Sequence, residues 1–298
     1  MTSPRFGRVI TALVTPFHED GSVHFEKAAE VARFLVGEGS DGLVVGGSTG
    51  EGSALSDEEK LELFTVVAKA VDVPVLAGST SSDTARSVVL TSAASRTGVA
   101  GILATTPAYA RPSQSGIAEH FAAVASATTL PVMLYDIPVR TGRKIASATS
   151  IAVARECANV VALKDASGDL PGAAHVTATL GAGFDLYSGD DALVLPFLAI
   201  GAVGVVSVAS HWAGPEFAAM IRAALANDWA TARALNERLA ASCAFESSES
   251  YPNPQPSKAA LRALGLAVGH CRLPLGVSDA ALDTTAATVL AELRAARG

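Results

Sequence analysis

Eight short runs of β-branched and apolar residues recur along the chain, and each is followed by a turn and then an amphipathic stretch. The runs are Val9–Leu13, Gly42–Val45, Val75–Ala77, Gly101–Ala104, Val132–Tyr135, Val160–Lys164, Phe184–Tyr187 and Val203–Ser207. Between them the apolar period becomes helical. Phe25, Ala28, Val31, Ala32 and Leu35 share one face, as do Leu61, Phe64, Val67 and Ala68. Ser56-Asp-Glu-Glu59 ahead of Leu61 has the spacing of a capping box. Pro74 and Pro131 stand just before two of the runs, where a ring that cannot continue a helix ends the preceding one. Strands that alternate with helices pair in parallel through right-handed crossovers. Eight such units predict an α/β fold, a closed (β/α)₈ TIM barrel over residues 1–226. A doubly wound open sheet is the competing architecture, since buried parallel strands read as continuous apolar runs in both.

From Pro215 onward the strand signals stop. Ala-rich helical patterns cover Pro215–Ala226, Trp229–Phe245 and Ser257–Leu264. Pro215 suits the first turn of its helix, and Glu216 suits the positive end of the helix dipole. A C-terminal helical extension is therefore expected over 227–298, with Tyr251-Pro-Asn-Pro-Gln-Pro256 as a stiff connector inside it. The 19 residues between Asp191 and His211 carry no formal charge, a length that could span a membrane. Pro196, Gly201 and Gly204 interrupt them, and they divide more naturally into a short helix, a turn and a strand. The N-terminus has only a brief apolar stretch before His18 and Glu19, which predicts no signal peptide. Three scattered cysteines, Cys157, Cys243 and Cys271, with no CxxC, fit neither a disulfide framework nor a zinc site and suggest a reducing cytoplasm. Hydrophobic residues make up 49% and charged residues 17%, which excludes a disordered chain. Twenty-two Lys and Arg against 29 Asp and Glu leave a net charge of −7, without the basic stripe of a nucleic-acid binder.

Reactive groups of such a barrel gather on the loops after the strand C-termini. Lys164 ends the run Val160-Val-Ala-Leu163. It is either a lysine snorkelling from a strand end or a desolvated amine, which can attack a ketone and form a Schiff base. Tyr135 ends the neighbouring strand, as a core aromatic or as a phenol placed to move protons. Ser48 and Thr49 lie in the turn Gly46-Gly-Ser-Thr-Gly-Glu51, where hydroxyls and amides can hold a carboxylate. The same glycines also suit an ordinary tight βα loop. Gly46, Gly50 and Gly52 have some likeness to a dehydrogenase nucleotide loop, but Glu51 would face the pyrophosphate and the loop follows the second strand rather than the first. None of the four tyrosines has a lysine four residues later. There is no Walker loop or HExxH, and the histidines form no ligand cluster. Asp190 and Asp191 are adjacent, so they point apart and read as a loop or helix start rather than a metal site. No metal and no cofactor are expected.

Taken in order, Gly47-Ser-Thr-Gly-Glu51, Thr106-Pro-Ala-Tyr109, Tyr135-Asp-Ile-Pro-Val-Arg-Thr-Gly142, Lys164-Asp-Ala-Ser-Gly168 and Ser188-Gly-Asp-Asp191 resemble the dihydrodipicolinate synthase and N-acetylneuraminate lyase family of class I pyruvate aldolases. The resemblance spans nearly the whole chain. It implies a barrel with a helical C-terminal region and a homotetramer built of dimers. It implies that Lys164 forms an imine with pyruvate, that Tyr135 is the proton shuttle, and that Ser48 and Thr49 hold the pyruvate carboxylate. Thr49 would also link Tyr135 to Tyr109, a residue offered to the site of an adjacent subunit. Gly189 and Val206 match positions that line the pocket. Arg140 matches the arginine of the synthase branch that binds the carboxylate of aspartate semialdehyde, a planar fork suited to that group. With Tyr109 and Cys271-Arg-Leu-Pro-Leu275, it favours the synthase branch, a carbon–oxygen lyase of diaminopimelate and lysine biosynthesis. The partners implied are two small molecules, pyruvate and an aldehyde, with no nucleic acid and no membrane.

Three departures stand against that pattern. Gly46-Gly-Ser-Thr is closer to the lyase branch, Ala108 replaces a tyrosine, and Ser82 and Arg86 replace the Asn and Glu common in lysine-inhibited synthases. The last two imply that lysine does not inhibit this protein. A sister aldolase acting on N-acetylneuraminate or 2-keto-3-deoxygluconate is the nearest alternative. A nucleotide-dependent dehydrogenase and a catalytically idle binding barrel are alternatives of different class.

Overall fold

The structure is a computed structural model and describes residues 4–296. Eight strands, Val9–Ala12 (β1), Gly42–Val45 (β2), Val75–Gly78 (β3), Gly101–Thr105 (β4), Val132–Asp136 (β5), Val160–Asp165 (β6), Asp185–Ser188 (β7) and Gly204–Ser207 (β8), close into one barrel in chain order. Every pair is parallel, including β8 with β1, so the doubly wound alternative is excluded. Each strand lies within a residue or so of a run read from the sequence.

Both faces of these strands are buried, which is why their twofold alternation does not show in the sequence. Ile10, Val44, Leu76, Leu103, Met133 and Val206 point inward and fill the barrel. Leu43, Val45, Ala77, Ile102, Leu134 and Leu163 belong to the layer against the surrounding helices. The helix Asp57–Ala70 opens with the expected capping box: Ser56 Oγ accepts from Glu59 N at 3.1 Å, and Glu59 Oε2 accepts from Ser56 N at 2.9 Å.

The C-terminal helices differ in two places from the sequence reading. The first begins at Ser210, not Pro215, but its backbone leaves helical geometry at Ala213. Pro215 thus falls in the first turn of the second segment, where its missing N–H costs nothing. A further helix, Ala280–Ala295, lies within the expected extension but was not one of its three named stretches. Its Ala- and Thr-rich sequence gives little contrast, yet Leu282, Ala286, Val289, Leu290 and Leu293 form a buried face of helical period. Asp279 caps it by accepting from Ala281 N and Leu282 N at 3.1 and 3.2 Å. The uncharged stretch after Asp191 does divide, into a 3₁₀ turn, the helix Val194–Ala199 and β8. No helix among the described residues is long and apolar enough to cross a membrane.

The segment around Asn253 to Leu275 returns across the C-terminal mouth of the barrel. Lys258 Nζ pairs with Glu51 Oε1 at 2.7 Å with both side chains almost wholly buried, and Arg272 Nη2 pairs with Glu59 Oε1 at 2.5 Å. These contacts position the β2 loop described next.

Candidate active site

The parallel register places Thr105, Tyr135, Lys164 and Tyr187 in one row across β4 to β7. Tyr135 and Lys164 share the inward parity of Met133 and Ala162, and Lys164 Nζ lies 4.1 Å from the Tyr135 ring centroid. A cation gains from such a ring face, but burial works against the charge. Lys164 is 4% exposed, and its amine is lowered from 10.5 to about 8. Burial is the main cause and Arg140 adds to it, while Asp191 and Glu246 oppose it. An amine with a value near 8 is about one-tenth neutral at pH 7, roughly 300-fold more than an unperturbed lysine. Burial also pushes the Tyr135 phenol far above its ordinary range, with Arg140 and a hydrogen bond to the Ser48 side chain pulling the other way.

Ser48 and Thr49 sit in the loop after β2. Gly46 opens it with φ +67°, and a Cβ on Gly52 would lie 2.1 Å from the Gly46 carbonyl, so only glycine permits this closure. Glu51 takes the left-handed region at φ +53°, a costly choice for a side chain. Its carboxylate is held by Lys258 and accepts from Arg272 N at 2.8 Å. Thr49, almost fully buried, accepts from Asn253 Nδ2 at 2.9 Å.

On the other side, Gly189 follows β7 and donates to Asp165 O at 2.7 Å. A Cβ there would meet Ala166 Cβ at 2.9 Å and Lys164 Cγ at 3.0 Å, so the backbone passes directly beside the amine. Val206 is fully buried inside the barrel on β8. Arg140 lies on the one-turn helix Pro138–Thr141 and donates from Nη2 to Asn253 O at 3.4 Å. With Ser48, Thr106 and Asn253 it lines a cavity of about 620 Å³. Lys164 and Tyr135 are not in that lining, whereas Ser48, whose side chain acts on the Tyr135 phenol, is.

Six of the eight residues singled out from the sequence therefore converge on one end of the barrel: Lys164, Tyr135, Ser48, Thr49, Gly189 and Arg140. Val206 belongs to the barrel interior beneath them. Tyr109 does not join them within the chain. It has φ +70°, is 96% exposed and does not line the cavity. No hydrogen bond joins Thr49 to Tyr109 or to Tyr135 in a single chain; the Thr49 hydroxyl is engaged by Asn253.

Two participants escaped the sequence reading. Asn253 sat inside what read as a stiff connector; a lone amide fixed between prolines was the available signal. Glu246 follows the helix Trp229–Phe245 with no local motif at all. Burial and the neighbouring Asp191 push its carboxyl well above the ordinary range. Asp191 in turn accepts from Val208 N at 2.9 Å and Ala209 N at 2.6 Å. Burying neighbouring carboxyls disfavours ionising both, and Glu246 is the one pushed toward its neutral form. As the sequence suggested, Asp190 starts the 3₁₀ turn, accepting from Ala192 N at 2.9 Å.

The dihydrodipicolinate synthetase family profile matches residues 5–292. The 4-hydroxy-tetrahydrodipicolinate synthase of Desulforamulus reducens is 45% identical over 277 residues, covering 92% of this chain and 93% of the relative. That of Bacillus subtilis is 45% identical over 272 residues, covering 91% and 93%. Among solved structures, dihydrodipicolinate synthase from Cyanidioschyzon merolae with lysine bound superposes with a TM-score of 0.94 at 42% identity, covering 97% of this chain and 98% of that one.

Proposed function

The chain belongs to the dihydrodipicolinate synthetase family, and from that membership we propose that it condenses pyruvate with L-aspartate 4-semialdehyde, the reaction of a 4-hydroxy-tetrahydrodipicolinate synthase. The observation that carries the chemistry is an amine buried beside a phenol at the mouth of β6, with burial shifting the amine toward its neutral form. In this reading, neutral Lys164 Nζ attacks the keto carbon of pyruvate. The carbinolamine loses water to a protonated imine, whose nitrogen withdraws electrons from the methyl carbon. Loss of a methyl proton gives the enamine, and its carbon attacks the aldehyde. Tyr135 moves the protons that these steps require.

Ser48 and Thr49 take the pyruvate carboxylate. Gly189 leaves room beside the reacting nitrogen, and Val206 closes the floor. Arg140 takes the carboxylate of the aldehyde, its guanidinium facing the cavity with only a long bond to the Asn253 carbonyl to satisfy it. The working unit in this reading is a homotetramer built of dimers, in which Tyr109 enters the site of a neighbouring subunit. Its near-total exposure, with Val139 and Leu273 also exposed at 86% and 82%, supports an unfilled contact surface. The same reading keeps residues 1–226 as the barrel and 227–298 as its helical extension, in a cytoplasmic enzyme.

Borohydride reduction in the presence of pyruvate, followed by peptide mass mapping, tests the nucleophile. The expected result is a single adduct on Lys164, lost in Lys164→Ala. Supplying pyruvate with aspartate semialdehyde, and separately N-acetylneuraminate and 2-keto-3-deoxygluconate, tests the acceptor. Faster turnover of either sugar acid would overturn the assignment.

A further inference from the structure

Asn253 touches both of the groups assigned to substrate carboxylates, and it does so through two different parts of the residue. Its side-chain amide donates from Nδ2 to Thr49 Oγ1 at 2.9 Å, and its main-chain carbonyl accepts from Arg140 Nη2 at 3.4 Å. The residue is almost fully buried. Its own placement comes from the returning C-terminal segment. Asn253 N donates to Ser247 Oγ at 3.3 Å, Ser257 Oγ donates to Asn253 Oδ1 at 3.5 Å, and the next residue, Pro254, leads into the buried helix Gln255–Ala263.

The direction of the bond to Thr49 matters. A threonine hydroxyl has one proton to give and two lone pairs to accept with, whereas an amide NH₂ only donates. By accepting from Asn253 Nδ2, the Thr49 oxygen keeps its own proton for another acceptor, and no acceptor takes that proton among the described residues. A substrate carboxylate only accepts, and a hydrogen bond to a charged acceptor is stronger than a neutral one. The bond to Arg140 is of a different kind. It is made by a main-chain oxygen, so it does not depend on which side chain stands at position 253.

We propose that Asn253 is a positioning residue for pyruvate: its amide turns the Thr49 hydroxyl proton toward the substrate, while its main-chain carbonyl steadies Arg140 independently of the side chain. The inference rests on the assignment of Thr49 to the pyruvate carboxylate. Asn253→Asp keeps the shape of the side chain but, when ionised, only accepts, so Thr49 donates to it and its proton is turned away from the substrate. Asn253→Leu removes the donor and leaves the Thr49 proton free to rotate. A side chain that merely fills space would rank the two the other way, because Asn253→Leu loses both polar bonds while Asn253→Asp keeps its size and the bond from Ser257.

The test is a split between the two substrates. Pyruvate is read as the concentration that half-saturates borohydride trapping on Lys164, which needs no turnover, and the acceptor as KM for aspartate semialdehyde. Asn253→Asp should raise the pyruvate value about tenfold or more and Asn253→Leu about threefold, and both should leave the acceptor value within about twofold. In a Thr49→Val background the excess of Asn253→Asp over Asn253→Leu should vanish, because no hydroxyl is left to turn. An excess that persists there comes from the added negative charge and overturns the proposal. So does an equal rise for both substrates, or Asn253→Leu at least as impaired as Asn253→Asp. If Asn253→Asp does not fold, the effect of Asn253→Leu must itself disappear in Thr49→Val, and its persistence overturns the proposal. A wild-type protein that forms no Lys164 adduct with pyruvate sinks the proposed function and this inference together; a normal adduct with unchanged Asn253 variants sinks this inference alone.

Discussion

At the scale of single residues, the site works by controlling one proton on one amine. Lys164 is disfavoured as an ammonium because β6 carries it into the barrel, and its residual charge is supported chiefly by Asp191. Because its value in the folded protein is about 8, the neutral fraction rises through that region. Initial rates of imine formation with pyruvate should therefore climb with pH and level off above about 8. A profile flat from pH 6 to 9 would contradict this account. Arg140 acts on the other substrate. Arg140→Ala should reduce turnover of aspartate semialdehyde far more than formation of the pyruvate adduct; equal losses would show that it has no selective role in acceptor binding. His211 gives a stability counterpart. It is fully buried, accepts from Val14 N at 3.2 Å, and is lowered from 6.5 to about 4 chiefly by burial. Below 6.5 the unfolded chain takes up a proton that the native imidazole refuses, so this residue's stabilisation is full above 6.5 and is lost as pH falls toward 4. The stability gap between the protein and His211→Gln, followed by urea unfolding, should narrow across that interval.

At the scale of elements, the β2 loop is held in its unusual shape by the C-terminal segment. Glu51 occupies a left-handed conformation and anchors to Lys258, while Thr49 is fixed by Asn253. Lys258→Met would leave the Glu51 carboxylate buried and unpaired, at a cost of about 3–5 kcal/mol. Adding Glu51→Gln should restore a large part of that loss, because the penalty comes from the orphaned charge rather than from the missing contact. Denaturant melts of the two single variants and the double variant would measure the coupling, and simple additivity would rule out a direct pair. The sequence marked Glu51 only as an obstacle to phosphate binding. Its partners lie more than two hundred positions away, so no local pattern could reveal them. The capping box at Ser56 was legible because both of its bonds are made within four residues.

At the scale of the whole molecule, the cavity wall carries Lys60, Arg86 and Ala108 on the side away from Lys164. Two basic side chains, together with the loss of an aromatic at Ala108, make this wall a poor host for a cationic amino acid. Lysine at sub-millimolar concentration should leave the activity unchanged. Measurable inhibition in that range would refute it.

The sequence by itself determined the barrel, because eight alternations of a buried strand and an amphipathic helix have few other solutions, and it singled out Lys164 and Tyr135 because each ends an apolar run on neighbouring strands. It marked the glycines at 46 and 52 as part of a tight βα loop, and the close approach of the Gly46 carbonyl that bars a Cβ at position 52 came from the structure. Only the tertiary structure decided which distant side chains complete the site. Asn253, Glu246 and Lys258 act through contacts made across the barrel mouth or by burial in its wall. Charge pairing and desolvation depend on distances in space, and those are set by how the C-terminal segment folds back rather than by any neighbouring residue.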